Sequence, residues 1–119
     1  MKFFHTIVSL FLFAGISVAG YQIVATINAP DADISGLGFG NGSLWAVDHV
    51  TEYAYQVDPA TGTIQNSWYC ADPFNPYTPS GLTFANNKVY IMVNRYNFLA
   101  SCYMYDTSGN KLGYFNPAC

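Results

Sequence analysis

Positive charge is the scarcest property of this chain. Its 119 residues hold four Lys and Arg against seven Asp and Glu, and charged residues of both signs make up 9%. One of the four, Lys2, sits in an N-terminal leader. The others, Lys88, Arg95 and Lys111, are too few for the basic patch that nucleic-acid binding requires. Anionic lipid surfaces are disfavoured for the same reason. Helical periodicity is missing as well. No stretch after the leader repeats apolar residues at helical spacing over about ten positions, so no helix is expected in the mature protein. Chemical motifs are equally sparse. The mature part has one histidine, His49. No Cys-x-x-Cys pair occurs, no Asp-x-Asp-x-Asp-Gly loop follows Asp31 and Asp33, and no Gly-x-Ser-x-Gly or phosphate-binding glycine loop is found. The expectation is therefore no catalytic residue, no metal and no cofactor.

The leader itself is informative. Lys2 gives a positive start, Ile7 to Phe13 an apolar run, and Ser17-Val18-Ala19 a small-x-small site. That pattern predicts a signal peptide over 1–19, cut after Ala19 or Gly20, and a secreted or periplasmic mature protein over 20–119. The apolar run is too short to span a bilayer comfortably, so no membrane contact is expected after cleavage. Export permits disulfides. Cys70, Cys102 and Cys119 are odd in number, so at least one is free or pairs outside this chain.

Aromatic residues, at 18%, suit strands, where they pack on a pleated surface. The chain also states its pattern twice. Ser35-Gly36-Leu37-Gly38-Phe39 returns as Ser80-Gly81-Leu82-Thr83-Phe84. Leu44-Trp45-Ala46-Val47 returns as Val89-Tyr90-Ile91-Met92, and Tyr55-Gln56-Val57-Asp58 as Tyr103-Met104-Tyr105-Asp106. A repeat of that period marks a unit of one supersecondary element. In the first unit, strands are expected over Gly36–Phe39, Leu44–Asp48, Tyr53–Val57 and Thr63–Trp68. Asn41-Gly42 and Asp58 to Gly62 supply the turns. The second unit repeats this over Gly81–Phe84, Lys88–Val93, Ser101–Tyr105 and Lys111–Phe115. Four antiparallel strands with tight turns make a propeller blade.

Gly-Leu-x-Phe, Asn-Gly-x-Leu-Trp-x-Val and Tyr-x-Val-Asp-Pro-x-Thr-Gly resemble the blade repeat of secreted bacterial β-propellers of the YVTN, NHL and glutamine-cyclotransferase-like kinds. The resemblance implies an all-β fold of two four-stranded antiparallel blades, over 34–69 and 79–116. A lone N-terminal strand is read over 21–28, from the alternation of Tyr21 to Asn28. The second blade departs from the pattern in a longer loop carrying Asn94-Arg95-Tyr96-Asn97. A closed propeller needs about four to eight blades. Two completions stay open: further blades of a longer chain, which the surplus strand and odd cysteine favour, or copies of this chain assembling into a ring.

In a blade, the loop between the second and third strands shares an end with the linker to the next blade. Asp48, His49, Asp72, Tyr77, Asn94 and Arg95 are the candidate ligand-binding residues there, facing a glycan or a peptide. Asp48 and Asn94 have a second reading, as short side chains satisfying loop amides. A loop histidine without a second motif residue is more often solvated than catalytic. Trp45 and Tyr90 stand at equal blade positions and are expected to pack between blades. Trp68, Tyr69, Phe74 and Tyr77 either stack on sugar rings or cover the blade junction. Among the cysteines, Cys102–Cys119 is the preferred disulfide and Cys70–Cys102 the alternative. The expected function is a secreted, non-catalytic binding or scaffold propeller. The alternatives are a two-bladed lectin-like protein and, less favoured, a fragment of a propeller lyase or cyclotransferase-like enzyme.

Overall fold

The computed structural model describes residue 20 and residues 22–70, 78–94 and 100–117. These residues are all-β. They form β1 (Ile34–Gly40), β2 (Ser43–Asp48), β3 (Tyr53–Val57), β4 (Ile64–Tyr69), β5 (Thr78–Ala85), β6 (Lys88–Asn94), β7 (Ala100–Tyr105) and β8 (Lys111–Phe115). The strands make two four-stranded antiparallel sheets, ordered β1-β2-β3-β4 and β5-β6-β7-β8. No helix among the described residues is long and apolar enough to cross a membrane.

Local chemistry explains the hairpins. Asn41 (φ 53) and Gly42 (φ 71) turn β1 into β2, and Asn86 (φ 49) and Asn87 (φ 57) turn β5 into β6. Two consecutive positive φ values match the twist of flanking strands, and Asn and Gly tolerate them best. Both sheets also carry bulges at matching places. Ser35 is the extra residue opposite β2, and Ser80 the extra residue opposite β6. Gln65 opposite β3 and Leu112 opposite β7 repeat this at the other edge. An extra residue strengthens local twist, so matched bulges give the two sheets a common shape.

The sheets stack face to face. β1 presents Gly36, Gly38 and Gly40 to β5, where a side chain would run into Leu82, Thr83 or Phe84. Into the space beside this close approach go Trp45, Val47 and Ala54 from the first sheet and Val89, Ile91, Val93, Tyr103 and Tyr105 from the second. The Phe84 ring stacks on Trp45 with centroids 5.4 Å apart, and Trp68 meets Tyr105 at 5.8 Å. Each such buried side chain contributes about 1.5–3 kcal/mol. The Trp45 indole N–H donates to the Gly40 carbonyl at 2.9 Å. The Trp68 indole N–H is buried with no partner among the described residues. Polar ties join the sheets too: Asn66 Nδ2 donates to the Ser108 carbonyl (3.1 Å) and the Tyr105 hydroxyl to the Cys70 carbonyl (3.2 Å).

Two expectations, a strand over 21–28 and a Cys70–Cys102 disulfide, meet a different arrangement, and the place of Tyr90 bears on a third. Residues 22–29 form no strand. Their alternation supplies a face, but no strand edge among the described residues pairs with it, and a strand exists only through its ladder; Tyr21 lies outside the described residues. Ile27 instead lies beside Gly62, and Ile27 to Pro30 pass over Ile34, Leu37 and Leu44 on the outer side of the first sheet. Tyr90 is not between the sheets. Side chains alternate across a strand, so Val89 and Ile91 face the first sheet and Tyr90 faces the opposite way, half-buried. The alternative disulfide is absent: Cys70 and Cys102 are separate thiols. Cys70 lies in the core between the sheets, while Cys102 alternates with Tyr103 onto the far side of the second sheet. The preferred pairing, Cys102–Cys119, involves Cys119, which lies outside the described residues.

Candidate functional site: an open cleft between the two sheets

The loop from β2 to β3 is built around one carboxylate. Asp48, the last residue of β2, is fully buried. Its Oδ1 accepts the amides of Val50 (2.7 Å) and Thr51 (2.8 Å), and its Oδ2 accepts that of Asp33 (2.7 Å). Burial pushes its carboxyl up, but the amides of Thr51, Asp33 and Val50 together outweigh burial and hold it below the ordinary value. Asp48 is thereby spent on the loop, with both oxygens engaged.

This anchor fixes His49. Its backbone N–H donates to the Asp33 carbonyl at 3.1 Å, and its ring Nδ1 lies 2.9 Å from the same oxygen. A carbonyl oxygen only accepts, so Nδ1 carries a proton and donates it there. A second carboxylate braces the loop from outside. Asp31 Oδ2 accepts the hydroxyls of Thr51 (2.7 Å) and Tyr55 (2.6 Å). The hydrogen bonds from Tyr55, Thr51 and the Ala32 amide hold Asp31 below its ordinary value. Burial, and then the bond to Asp31, push the Tyr55 phenol up to about 12.

Across from His49 stands the second sheet. Thr78, Pro79 and Ser80 open β5, and Asn94 closes β6 in register with Thr78. With Ser35 and His49 they line a cleft of about 280 Å³. Ser35 joins the two sheets there, its hydroxyl lying 3.2 Å from the Pro79 carbonyl. The Ser80 hydroxyl reaches Asn94 Oδ1 at 3.4 Å. The lining therefore offers hydroxyl, carboxamide and imidazole groups, all neutral when His49 is unprotonated. Such groups recognise a ligand by paired donors and acceptors.

Of the six sequence candidates, His49 and Asn94 meet in this cleft. Asp48 stands behind it as the loop anchor. Asp72, Tyr77 and Arg95 lie outside the described residues, as does Phe74. Trp68 covers the junction against Tyr105, and Tyr69 is exposed, its hydroxyl donating to Glu52 Oε2 at 2.7 Å. Ser35 and Ser80 were not among the candidates. The signal was present, as the serine that opens each repeat, but it reads as a landmark until the bulge turns it toward the cleft. Among the described residues no cluster of three or more His, Cys, Asp or Glu is arranged to hold a metal ion.

Comparison with known proteins bears on the fold alone. No family model and no curated protein matches this chain. Among solved structures, the chain is similar to a Europium-containing methanol dehydrogenase, a β-propeller protein, with a TM-score of 0.59 and 19% identity. The likeness covers 75% of this chain and 16% of that one. The two four-stranded antiparallel sheets of this chain are consistent with that likeness in fold.

Proposed function

We propose that this chain is a secreted, non-catalytic binding or scaffold module, made of two propeller blades and forming one arc of a larger ring. The repeated four-stranded unit, the face-to-face stack and the likeness to a stretch of a propeller support the architecture. The observation that carries the binding role is the cleft at the blade junction. It brings together His49 and Asn94, which stand at equivalent places in the two units, 45 residues apart. Its neutral hydrogen-bonding lining suits a hydroxyl-rich or amide-bearing ligand, a glycan or a peptide segment. A lectin-like reading is favoured within that class, because hydroxyl and carboxamide groups pair with sugar hydroxyls as both donors and acceptors.

The test is a nuclear magnetic resonance titration of the cleaved protein with a panel of monosaccharides and short peptides. Shifts confined to Ser35, His49, Ser80 and Asn94 are expected with at least one ligand. His49→Ala and Asn94→Ala should each weaken binding about tenfold, the scale of one lost hydrogen bond. Saturable shifts elsewhere, or none with any ligand, would refute the assignment.

A further inference from the structure

The contact between the two sheets has two sides, and the repeat supplies each side twice. The first sheet contributes the face of Gly36, Trp45 and Val47, and the second the face of Leu82, Phe84 and Ile91. The equivalent of the former is the far side of the second sheet, at Gly81, Tyr90 and Met92. The equivalent of the latter is the outer side of the first sheet, at Leu37, Phe39 and Ala46. No sheet of the described residues covers either, although Ala46 itself is fully buried. Leu37 is 59% and Phe39 65% exposed, while their equivalents Leu82 and Phe84 pack against the core.

Two details match at the level of atoms. A Cβ on Gly36 would lie 2.4 Å from the Leu82 amide nitrogen, so its absence admits the neighbouring backbone; the equivalent Gly81 has nothing within 4 Å. Both bulge serines reach a carbonyl in their own sheet at 3.4 Å, Ser35 to Val47 and Ser80 to Met92. Ser35 also reaches across to the Pro79 carbonyl at 3.2 Å. The repeat makes Ile34 the equivalent of Pro79, so the matching acceptor for Ser80 is Ile34 of another copy. A third detail differs: Gly38 and Gly40 are replaced by Thr83 and Ala85, and Trp45 by Tyr90, so the close backbone approach is preserved at Gly81 and the incoming strand stands further off beyond it.

We propose that a second copy of this chain seats the outer side of its first sheet on the far side of the second sheet, head to tail, with its β1 backbone at Gly81. The inference rests on the blade reading above. A second copy is the occupant because one chain carries both halves of the contact, in the pattern that already joins its own sheets. Such a contact is heterologous, so it propagates to a ring if the rotation closes and to a filament if it does not. The incoming copy meets Ile27 to Pro30 over Leu37 and Leu44. That segment forms no strand, so moving it breaks no ladder.

Light scattering after size exclusion, over a range of concentrations and under reducing conditions, tests this. The cleaved wild type should rise to discrete multiples of the single-chain mass. Gly81→Val adds a side chain to open space within one copy, so it should keep the wild-type near-ultraviolet circular dichroism and remain at single-chain mass. Tyr90→Glu should do the same through a different atom set. A wild type of single-chain mass at every concentration, or a Gly81→Val protein that assembles like wild type, overturns the proposal. Gly36→Val separates the two readings: if it too leaves the fold intact, the sheets do not stack as blades and the architecture itself fails. Ligand titration read at Ser35 and His49, which the proposed contact does not use, keeps failure of the cleft reading distinguishable from failure of this one.

Discussion

Replacing Gly36 with alanine tests how closely the two sheets approach. Its Cβ would lie 2.4 Å from the Leu82 amide nitrogen, 2.7 Å from the Gly81 carbonyl carbon and 2.9 Å from the Gly81 Cα. Carbon contacts are favourable only from about 3.5 Å outward. All three atoms are backbone in a paired strand, so relief requires moving β5 as a unit. Overpacking of this kind costs about 1–3 kcal/mol, and a backbone obstacle puts the cost near the top of that range. Alanine returns about 0.5–1 kcal/mol through the lower chain entropy of the unfolded state. The net loss is about 2 kcal/mol, or about 8–16 °C in Tm for a domain of this size. Gly81→Ala is the control. It meets nothing within 4 Å, so only the entropic gain remains and its Tm should rise slightly. Thermal and urea unfolding, at concentrations low enough to keep association out of the measurement, give both values. Equal Tm values for the two variants, or a Gly36→Ala protein as stable as wild type, would refute the close-approach argument.

Other perturbations follow from single atoms. Asp48→Ala strands three amides and should cost about 1–3 kcal/mol in urea unfolding. The Asp48 carboxyl is held low in the fold, so its stabilisation is present above about pH 4 and lost as pH falls below it. Asp48→Asn should flatten that acid limb, and a limb as steep as wild type would count against the anchor. Asn87→Gly should raise stability by about 0.5 kcal/mol, because Asn87 holds a φ of 57 that glycine adopts freely; no gain in Tm would place the strain elsewhere. Burial, with Glu52 nearby, pushes the Cys70 thiol up to about 12 from an ordinary 9.0. Its neutral form contributes fully below about pH 9, and that contribution is lost as pH climbs toward 12. At pH 8 a thiol reagent should therefore leave Cys70 unmodified until the protein unfolds, and rapid native labelling would contradict its burial.

The strands and turns were legible because their causes are local. Alternating aromatic and β-branched residues marked β2, β3, β6 and β7, and Asn41-Gly42 and Asn86-Asn87 marked the hairpins that join β1 to β2 and β5 to β6. His49 and Asn94 line one cleft, since both follow the second strand of a unit and the loops at one end of a stack share a surface. Other features depend on partners distant in sequence. Asp31 meets Tyr55 across 24 positions, and nothing near either residue announces it. The Asp48 anchor depends on Asp33 arriving from ahead of β1. Tyr90 keeps the direction of Trp45 but not its neighbour: the face that meets a sheet in the first unit meets no sheet of the described residues in the second. The bulge at Ser35 and Ser80 shifts register by one residue, and residue patterns alone do not locate such a shift.

The repeat is least faithful at its most ionic point. Asp48 is matched 45 residues later by Val93, a buried aliphatic residue. One side of the cleft is thus shaped by an internal charge before any ligand arrives, and the other by an apolar strand end that offers Asn94. The repeat makes the two sheets alike, and Asp48 against Val93 makes the two loops that flank the cleft unlike.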